Sequence, residues 1–157
     1  MTDAGQAAAL GAAGRRHLGS SRGDGRTSGA VHSIGLHLVW CPKYRRPVLG
    51  GRVAERLRSL IEAKCAERGW TVEALEVMPD HVHLVVRSGP DASPALVAHQ
   101  CKGFTSRVLR AEFPHLRSRL PTLWSKSYLV ASVGRVSEAT IRRYIAEQTT
   151  RPEKGKP

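Results

Sequence analysis

The order of strand and helix signals along the chain constrains its fold more than any other feature. Apolar, alternating segments predict four strands, at 31–41, 70–78, 81–87 and 124–133. Apolar residues at helical spacing predict three helices, one within 53–65, one starting at Ser93-Pro94 and one at 137–148. The order β-α-β-β-α-β-α predicts an α+β fold: a ferredoxin-like split βαβ antiparallel sheet with helices on one face, plus an extra C-terminal helix.

The 157 residues are enough for one domain with short flanking segments. Residues 1–30 contain seven of the fifteen glycines, four arginines and few bulky apolar side chains, which predicts a flexible basic tail. Residues 31–150 are predicted to form the folded domain, and residues 151–157 a short polar tail. The sequence contains no internal repeat.

The charge of the chain favours a polyanionic partner. The formal net charge is +12; residues 1–30 and 149–157 carry +2 each, which leaves +8 on residues 31–148. Nucleic acid is the first candidate and an anionic membrane surface the second. No apolar run reaches the roughly 18 residues of a membrane span, and no secretory signal precedes the domain. Three widely separated cysteines are typical of a protein of the reducing cytoplasm.

The segment Met78–Val86 contains a His-x-His pair that could bind a metal. Side chains alternate along a strand, so His81 and His83 should point to the same face, with Val82 and Leu84 directed into the core. Two neighbouring imidazoles can ligate one divalent metal. The alternative is two histidines on a solvated strand face, because such pairs also arise by chance and need a third ligand.

The last predicted helix contains a tyrosine and a glutamine on its apolar face. Ile141, Tyr144, Ile145 and Gln148 fall on one face at helical spacing, which by itself indicates an ordinary amphipathic helix. Gln148 is a poor core residue, however, and two arginines beside the tyrosine would attract phosphate. A functional role for this face therefore stands beside the structural one.

Basic and aromatic residues alternate in several segments, as expected of a surface that binds phosphates and unpaired bases. Trp124, Lys126 and Tyr128 would share one face of the last strand. The alternative is a charged surface without a specific partner. The candidate DNA contacts are Lys43, Tyr44, Arg45, Arg46, Lys102, Arg107, Arg110, Lys126, Arg142 and Arg143.

Four of these segments together resemble a known family. Residues 38–49 (LVWCPKYRRPVL), 78–83 (MPDHVH), 123–128 (LWSKSY) and 143–148 (RYIAEQ) are similar, in order and spacing, to the motifs of the small single-tyrosine HUH transposases of the insertion-sequence 200/605 family. The resemblance covers about three quarters of the chain, from His32 to Gln148. The tail before Ala30 matches nothing in that family, and Leu129 stands where Phe is expected.

The resemblance implies a function and assigns residues to it. Tyr144 would be the nucleophile, and His81, His83 and Gln148 would ligate a divalent metal, Mg²⁺ or Mn²⁺. The substrate would be single-stranded DNA with subterminal hairpins, cleaved through a 5′-phosphotyrosine and rejoined. The protein would act as a homodimer in which the tyrosine helix of one subunit can complete the other's site.

Three other functions remain open on the residues alone. The protein could be a domesticated repeat-associated HUH nuclease, a catalytically inactive binder of single-stranded nucleic acid, or a hydrolytic metalloenzyme in which Tyr144 is merely structural. The residues do not identify a general base. Asp80 adjoins the histidine pair, but its side chain is expected to point away from their face.

Overall fold

The structure is a computed structural model that describes residues 26–27, 30–31 and 34–149. Residues 151–157 and most of residues 1–30, the two predicted tails, lie outside the described residues. Within the predicted first tail, β1 (Arg26–Thr27) pairs antiparallel with β2 (Ala30–Val31). In the described part of the chain, no helix is both long enough and apolar enough to cross a membrane.

The main sheet has four antiparallel strands: β3 (Ile34–Trp40), β4 (Thr71–Met78), β5 (His81–Ser88) and β6 (Leu129–Ser132). Their order across the sheet is β4-β5-β3-β6. The two central strands, β3 and β5, come from distant parts of the sequence, and the hairpin β4–β5 turns at Pro79-Asp80. This is the predicted split βαβ sheet.

The helices are α1 (Gly51–Arg68), α2 (Pro94–Glu112), α3 (Pro114–Ser118) and α4 (Glu138–Thr149). Two predicted helix ends are confirmed by their caps. Gly69 ends α1 with φ of 77°, which glycine adopts without strain, and the Ser93 hydroxyl accepts the Leu96 N–H at 3.0 Å at the start of α2. The short helix α3 begins at Pro114 and is not predicted by the sequence pattern.

The core lies between one face of the sheet and helices α1 and α2. Alternation along β5 buries Val82, Leu84 and Val86, and Leu84 lies opposite Leu38 of β3. The apolar sides of α1 and α2 complete this core. The opposite face of β5 carries the half-exposed histidines, so the strand's alternation sets both the core and the candidate site.

The prediction of a last strand over 124–133 is wrong at its start. Trp124 forms only an isolated bridge with Pro42, and regular pairing with β3 begins at Leu129. The intervening loop of residues 125–127 directs its carbonyl groups to the Lys102 ammonium instead of to a neighbouring strand. Trp124 is buried and Lys126 is exposed, so these residues do not share a strand face as the alternation predicted.

We predict that truncating the core face of β5 destabilises the protein far more than truncating the other face. Leu84→Ala removes a fully buried side chain and should lower the free energy of unfolding by about 2–5 kcal/mol. The matched variant Val85→Ala, on the half-exposed face, should cost about 1 kcal/mol. Urea denaturation of both variants measures this, and equal losses would contradict the assignment of the two faces.

Candidate active site

His81 and His83 point to the same face of β5, as the alternation predicted. Both are partly buried, and the side chain of His81 is 20% exposed. Because the residues between and after them are buried in the core, the imidazoles are held on the face away from α1 and α2. The pair is therefore accessible without disturbing the core.

Asp80 contacts the pair, contrary to the expectation that its side chain points away. The His81 Nδ1–H donates to Asp80 Oδ1 at 2.9 Å, and the Arg45 guanidinium donates to Asp80 Oδ2 at 2.7 Å. Asp80 belongs to the turn, where strand alternation does not apply, and this leaves its carboxylate free to reach the next side chain. Burial acts to raise the pKa of Asp80, but the hydrogen bonds from His81 and Arg45 outweigh it and lower that pKa.

His37 is a third histidine at the site, which the sequence reasoning missed. Its Nδ1 lies 3.0 Å from His83 Nε2, and their ring centroids are 5.2 Å apart. Burial, followed by the charge of His37, lowers the pKa of His83. Alternation along β3 places His37 on the other face of the strand from the core-facing Leu36 and Leu38. Only the pairing of β3 with β5 shows that His37 meets His83.

The turn of residues 43–45 lies between the histidine strand and α4. Tyr44 and Arg45 have φ of 59° and 54°, a left-handed conformation that non-glycine residues rarely adopt. Arg45 contacts Asp80, and the same turn packs against α4. Tyr44 is 39% exposed, with the Lys43 ammonium and the Arg46 guanidinium 5.4 and 5.9 Å from its ring centroid.

Tyr144 and Gln148 lie on the same side of α4, as their spacing predicted. The hydroxyls of Tyr144 and Ser127 lie 3.1 Å apart. Gln148 is buried, and its Oε1 accepts the hydroxyls of Ser125 and Ser127, each at 3.1 Å. Its Nε2 donates to the Tyr144 carbonyl at 3.1 Å. The buried amide thus has the polar partners that burial requires.

Ser125 and Ser127 are site residues that sequence reasoning missed. The predicted strand over 124–133 places both serines on the face opposite to Trp124 and assigns them no role. In the structure, the non-strand loop lets both hydroxyls converge on Gln148 Oε1. Only their place inside the LWSKSY segment marked them beforehand, without indicating a role.

The basic residues predicted to bind DNA divide into exposed and anchored groups. Arg110 donates to the Leu120 carbonyl at 3.3 Å, and Lys102 donates to carbonyls of the 125–127 loop. Arg45 is paired with Asp80. The other six have exposed or half-exposed side chains: Lys43, Arg46, Arg107, Lys126, Arg142 and Arg143.

Among the three predicted metal ligands, His81 presents Nε2 outside the hydrogen bonds of the site, whereas His83 Nε2 and Gln148 Oε1 lie in hydrogen bonds. His81 donates through Nδ1 to Asp80, which leaves Nε2 as a lone-pair donor, the usual arrangement of a metal-binding histidine. His83 Nε2 and Gln148 Oε1 are engaged with His37 and with the two serines. Within residues 34–149, no group of three His, Cys, Asp or Glu side chains is arranged to hold a metal. The amide oxygen is a ligand type that suits Mg²⁺ and Mn²⁺, whereas imidazoles more often bind Zn²⁺, Cu²⁺, Fe²⁺ or Ni²⁺.

Comparison with known proteins gives concordant results from sequence and structure. The family model described as IS200-like transposase matches residues 30–148. The ISDra2 transposase TnpA of Deinococcus radiodurans is 36% identical over 122 residues, covering 76% of this chain and 87% of the relative. The transposase for insertion sequence element IS200 of Salmonella typhimurium is 27% identical over 121 residues, covering 76% and 79%.

A solved structure agrees with these sequence relatives. The crystal structure of a candidate transposase from Deinococcus radiodurans R1 has a TM-score of 0.73 and 34% sequence identity to this chain. The match covers 78% of this chain and 96% of that one. The likeness therefore extends over nearly the whole of the solved chain.

We predict that Asp80 supports metal binding through His81. Asp80→Asn removes the charge that orients the imidazole and holds the proton on Nδ1, so the affinity for Mn²⁺ should fall by about 10- to 100-fold. Titration of Mn²⁺ followed by electron paramagnetic resonance measures it. Asp91→Asn, a matched change at an exposed position, is the control. An unchanged affinity in Asp80→Asn would show that this contact serves only the turn.

Proposed function

Because this chain belongs to the IS200-like transposase family, we propose that it moves DNA by cutting and rejoining single strands, with Tyr144 as the nucleophile. DNA transposition follows from the family itself. The single-stranded substrate, the covalent tyrosine intermediate and the metal are the parts that we infer for this chain.

The observation that carries the proposal is the placement of the Tyr144 hydroxyl. It lies 3.1 Å from Ser127 Oγ and one helical turn from Gln148, on a helix that packs against the 43–45 turn. That turn reaches the histidine strand through the Arg45–Asp80 ion pair, at 2.7 Å. The tyrosine helix and the histidine pair therefore meet at one turn, although they are about sixty residues apart in sequence.

The chemistry conserves the energy of the phosphodiester bond. Tyr144 Oη attacks the scissile phosphorus, a bond forms between that oxygen and phosphorus, and the bond to the 3′ oxygen breaks. The 3′ oxygen leaves as a hydroxyl, and the 5′ phosphate stays on the tyrosine. Attack by another 3′-OH reverses the step and joins new ends without a nucleotide cofactor.

The residues around the tyrosine would support this step. Ser127 lies at the nucleophile's oxygen and orients it, and Asp80 orients the His81 imidazole. His81, His83 and Gln148 would hold Mg²⁺ or Mn²⁺ once the present bonds of His83 and Gln148 open. A bound metal would supply charge neutralisation at the phosphate and stabilise the leaving oxygen.

The surface charge fits a single-stranded partner. Tyr44 is 39% exposed on the strained turn, with two cationic side chains 5.4 and 5.9 Å from its ring centroid, and we infer that it stacks on an unpaired base beside a phosphate. Arg142 and Arg143 are exposed on α4, beside the tyrosine. We infer that hairpins near the ends of the element are the structures recognised, as the family resemblance implies.

We also propose a homodimer with shared active sites. Excision breaks a strand at two places, and each chain offers one nucleophile. Residues 133–135, between β6 and α4, are exposed, and Gly134 has φ of 86°. A segment of this kind lets a terminal helix dock on a partner across a two-fold axis. In that arrangement α4 would make its contacts with the 43–45 turn and the 125–127 loop of the partner instead of its own chain.

We predict that Tyr144→Phe abolishes the covalent adduct with single-stranded DNA while leaving DNA binding intact. The change removes only the hydroxyl, so the basic and stacking surfaces remain. Incubation with labelled DNA followed by denaturing electrophoresis detects the adduct. Tyr128→Phe removes the same atom from a tyrosine on the far side of the 125–127 loop and is the matched control. An adduct formed by Tyr144→Phe and lost in Tyr128→Phe would assign the wrong tyrosine.

We predict that two inactive proteins restore cleavage when mixed. One carries Tyr144→Phe, and the other carries His81→Ala with His83→Ala. In a heterodimer with shared sites, one site combines the intact histidines with the intact tyrosine, so one of the two sites should cut. If each site is built within one chain, no site is complete. Absence of cleavage from a mixture proven to contain heterodimers would place Tyr144 beside its own histidines.

A further inference from the structure

Lys102 projects from α2, and its ammonium lies inside the 125–127 loop. Nζ donates to the carbonyl oxygens of Ser125 at 2.8 Å and Ser127 at 3.1 Å, and lies 3.4 Å from that of Lys126. The ring of Tyr128 covers the ammonium, with its centroid 5.3 Å from Nζ. Sequence reasoning predicted a phosphate contact for this lysine, but its N–H groups are directed at backbone.

Three successive carbonyls are turned toward one point, and the Lys102 ammonium is the donor that they share. The Ser125 N–H donates to the Cys41 carbonyl at 2.9 Å and continues the bridge between Trp124 and Pro42, whereas residues 126 and 127 belong to no strand ladder. Without the ammonium, the partly buried carbonyls would lose their partner and the loop would have to reorganise. Lys102 therefore decides the shape of this loop.

The same loop holds the tyrosine helix. On its other side, Ser125 and Ser127 donate to Gln148 Oε1, and Ser127 Oγ contacts the Tyr144 hydroxyl. The path from the lysine to the nucleophile thus has two steps, from ammonium to carbonyl and from hydroxyl to tyrosine. Each step is a hydrogen bond of 3.1 Å or less.

We propose that Lys102 is a positioning residue for strand cleavage: it fixes the 125–127 loop so that Ser127 holds the Tyr144 hydroxyl in place, a contact that does not depend on whether Gln148 binds the serines or a metal. Lys102 acts through Ser127 and does not bind phosphate. The inference rests on the proposed role of Tyr144 as the nucleophile.

The lysine remains able to donate to these carbonyls. Burial lowers the pKa of Lys102 to about 8, so most of the side chains still carry the ammonium at pH 7. Lys126, on the same loop, is exposed and makes the natural comparison.

The first measurement separates positioning from phosphate binding. Lys102→Met keeps the length of the stem and removes the charge, and it should leave both the Kd for single-stranded DNA and its salt dependence unchanged. Lys126→Met removes the same charge from the exposed side chain and should weaken binding, with a salt slope shallower by about 0.7. A weaker Kd and a shallower slope for Lys102→Met would make Lys102 a phosphate contact and overturn the proposal.

The second measurement tests whether the lysine acts through the loop. At saturating DNA, Lys102→Met and Ser127→Ala should each slow adduct formation by about 10- to 100-fold, as expected of a misplaced nucleophile. The double variant should be no slower than the slower single variant, because both changes break one path. If the double variant is slowed by the product of the two single effects, the two residues act independently and the proposal is overturned. Should Lys102→Met fail to fold, Ser127→Ala decides alone, and a normal rate in that variant overturns the proposal.

A third measurement does not depend on which residue is the nucleophile. Hydrogen exchange of the full-length protein should be faster across α4 in Lys102→Met than in wild type, with β3 and β5 unchanged. Unchanged exchange in α4 would overturn the positioning role. Faster exchange, together with a covalent adduct in Tyr144→Phe, would support the loop's hold on α4 while refuting the proposed nucleophile, so the two failures are distinguishable.

Discussion

The alternation of side chains along β5 is the constraint on which both the core and the candidate site depend. Every second residue of this central strand is buried against α1 and α2, and the residues between them include His81 and His83. A shift of register by one residue would expose Leu84 and bury the histidines, so the packing of the core enforces the direction of the imidazoles. The site's orientation is therefore stabilised by apolar burial that has no part in its chemistry.

Hydrogen bonds to the 125–127 loop organise the other half of the site, which contains Tyr144 and Gln148. The 125–127 loop gives its carbonyls to Lys102 and its hydroxyls to Gln148 and Tyr144. Satisfying these groups requires the loop to leave the strand geometry that the alternation of residues 124–133 predicted. Hydrogen bonding thus decides the conformation of the loop beside Tyr144 and Gln148.

The strained turn at 43–45 joins these two halves. Two consecutive residues in the left-handed region cost about 1–3 kcal/mol each and persist because their surroundings hold them. Arg45 is held by Asp80, and the turn packs against α4. The conformation of this turn leaves the Tyr44 ring partly exposed, with the Lys43 ammonium and the Arg46 guanidinium 5.4 and 5.9 Å from its centroid.

The sequence by itself determined the fold class, because periodicity reports which residues can be buried together. It also placed His81 with His83 on one strand face, and Tyr144 with Gln148 on one helix face, since these relations are local. The IS200-like family followed from four motifs in order, and the comparisons confirm it. Each of these inferences concerns residues whose geometry is set within a single element or by order along the chain.

Only the tertiary structure decided which elements meet. His37 reaches His83 because β3 and β5 are neighbours, and no periodicity in either strand reveals that pairing. Asp80 reaches His81 because a turn frees its side chain, and Lys102 binds the 125–127 loop because α2 packs beside it. Hydrogen bonds between distant segments depend on positions fixed by the whole core, and local sequence patterns carry no information about them.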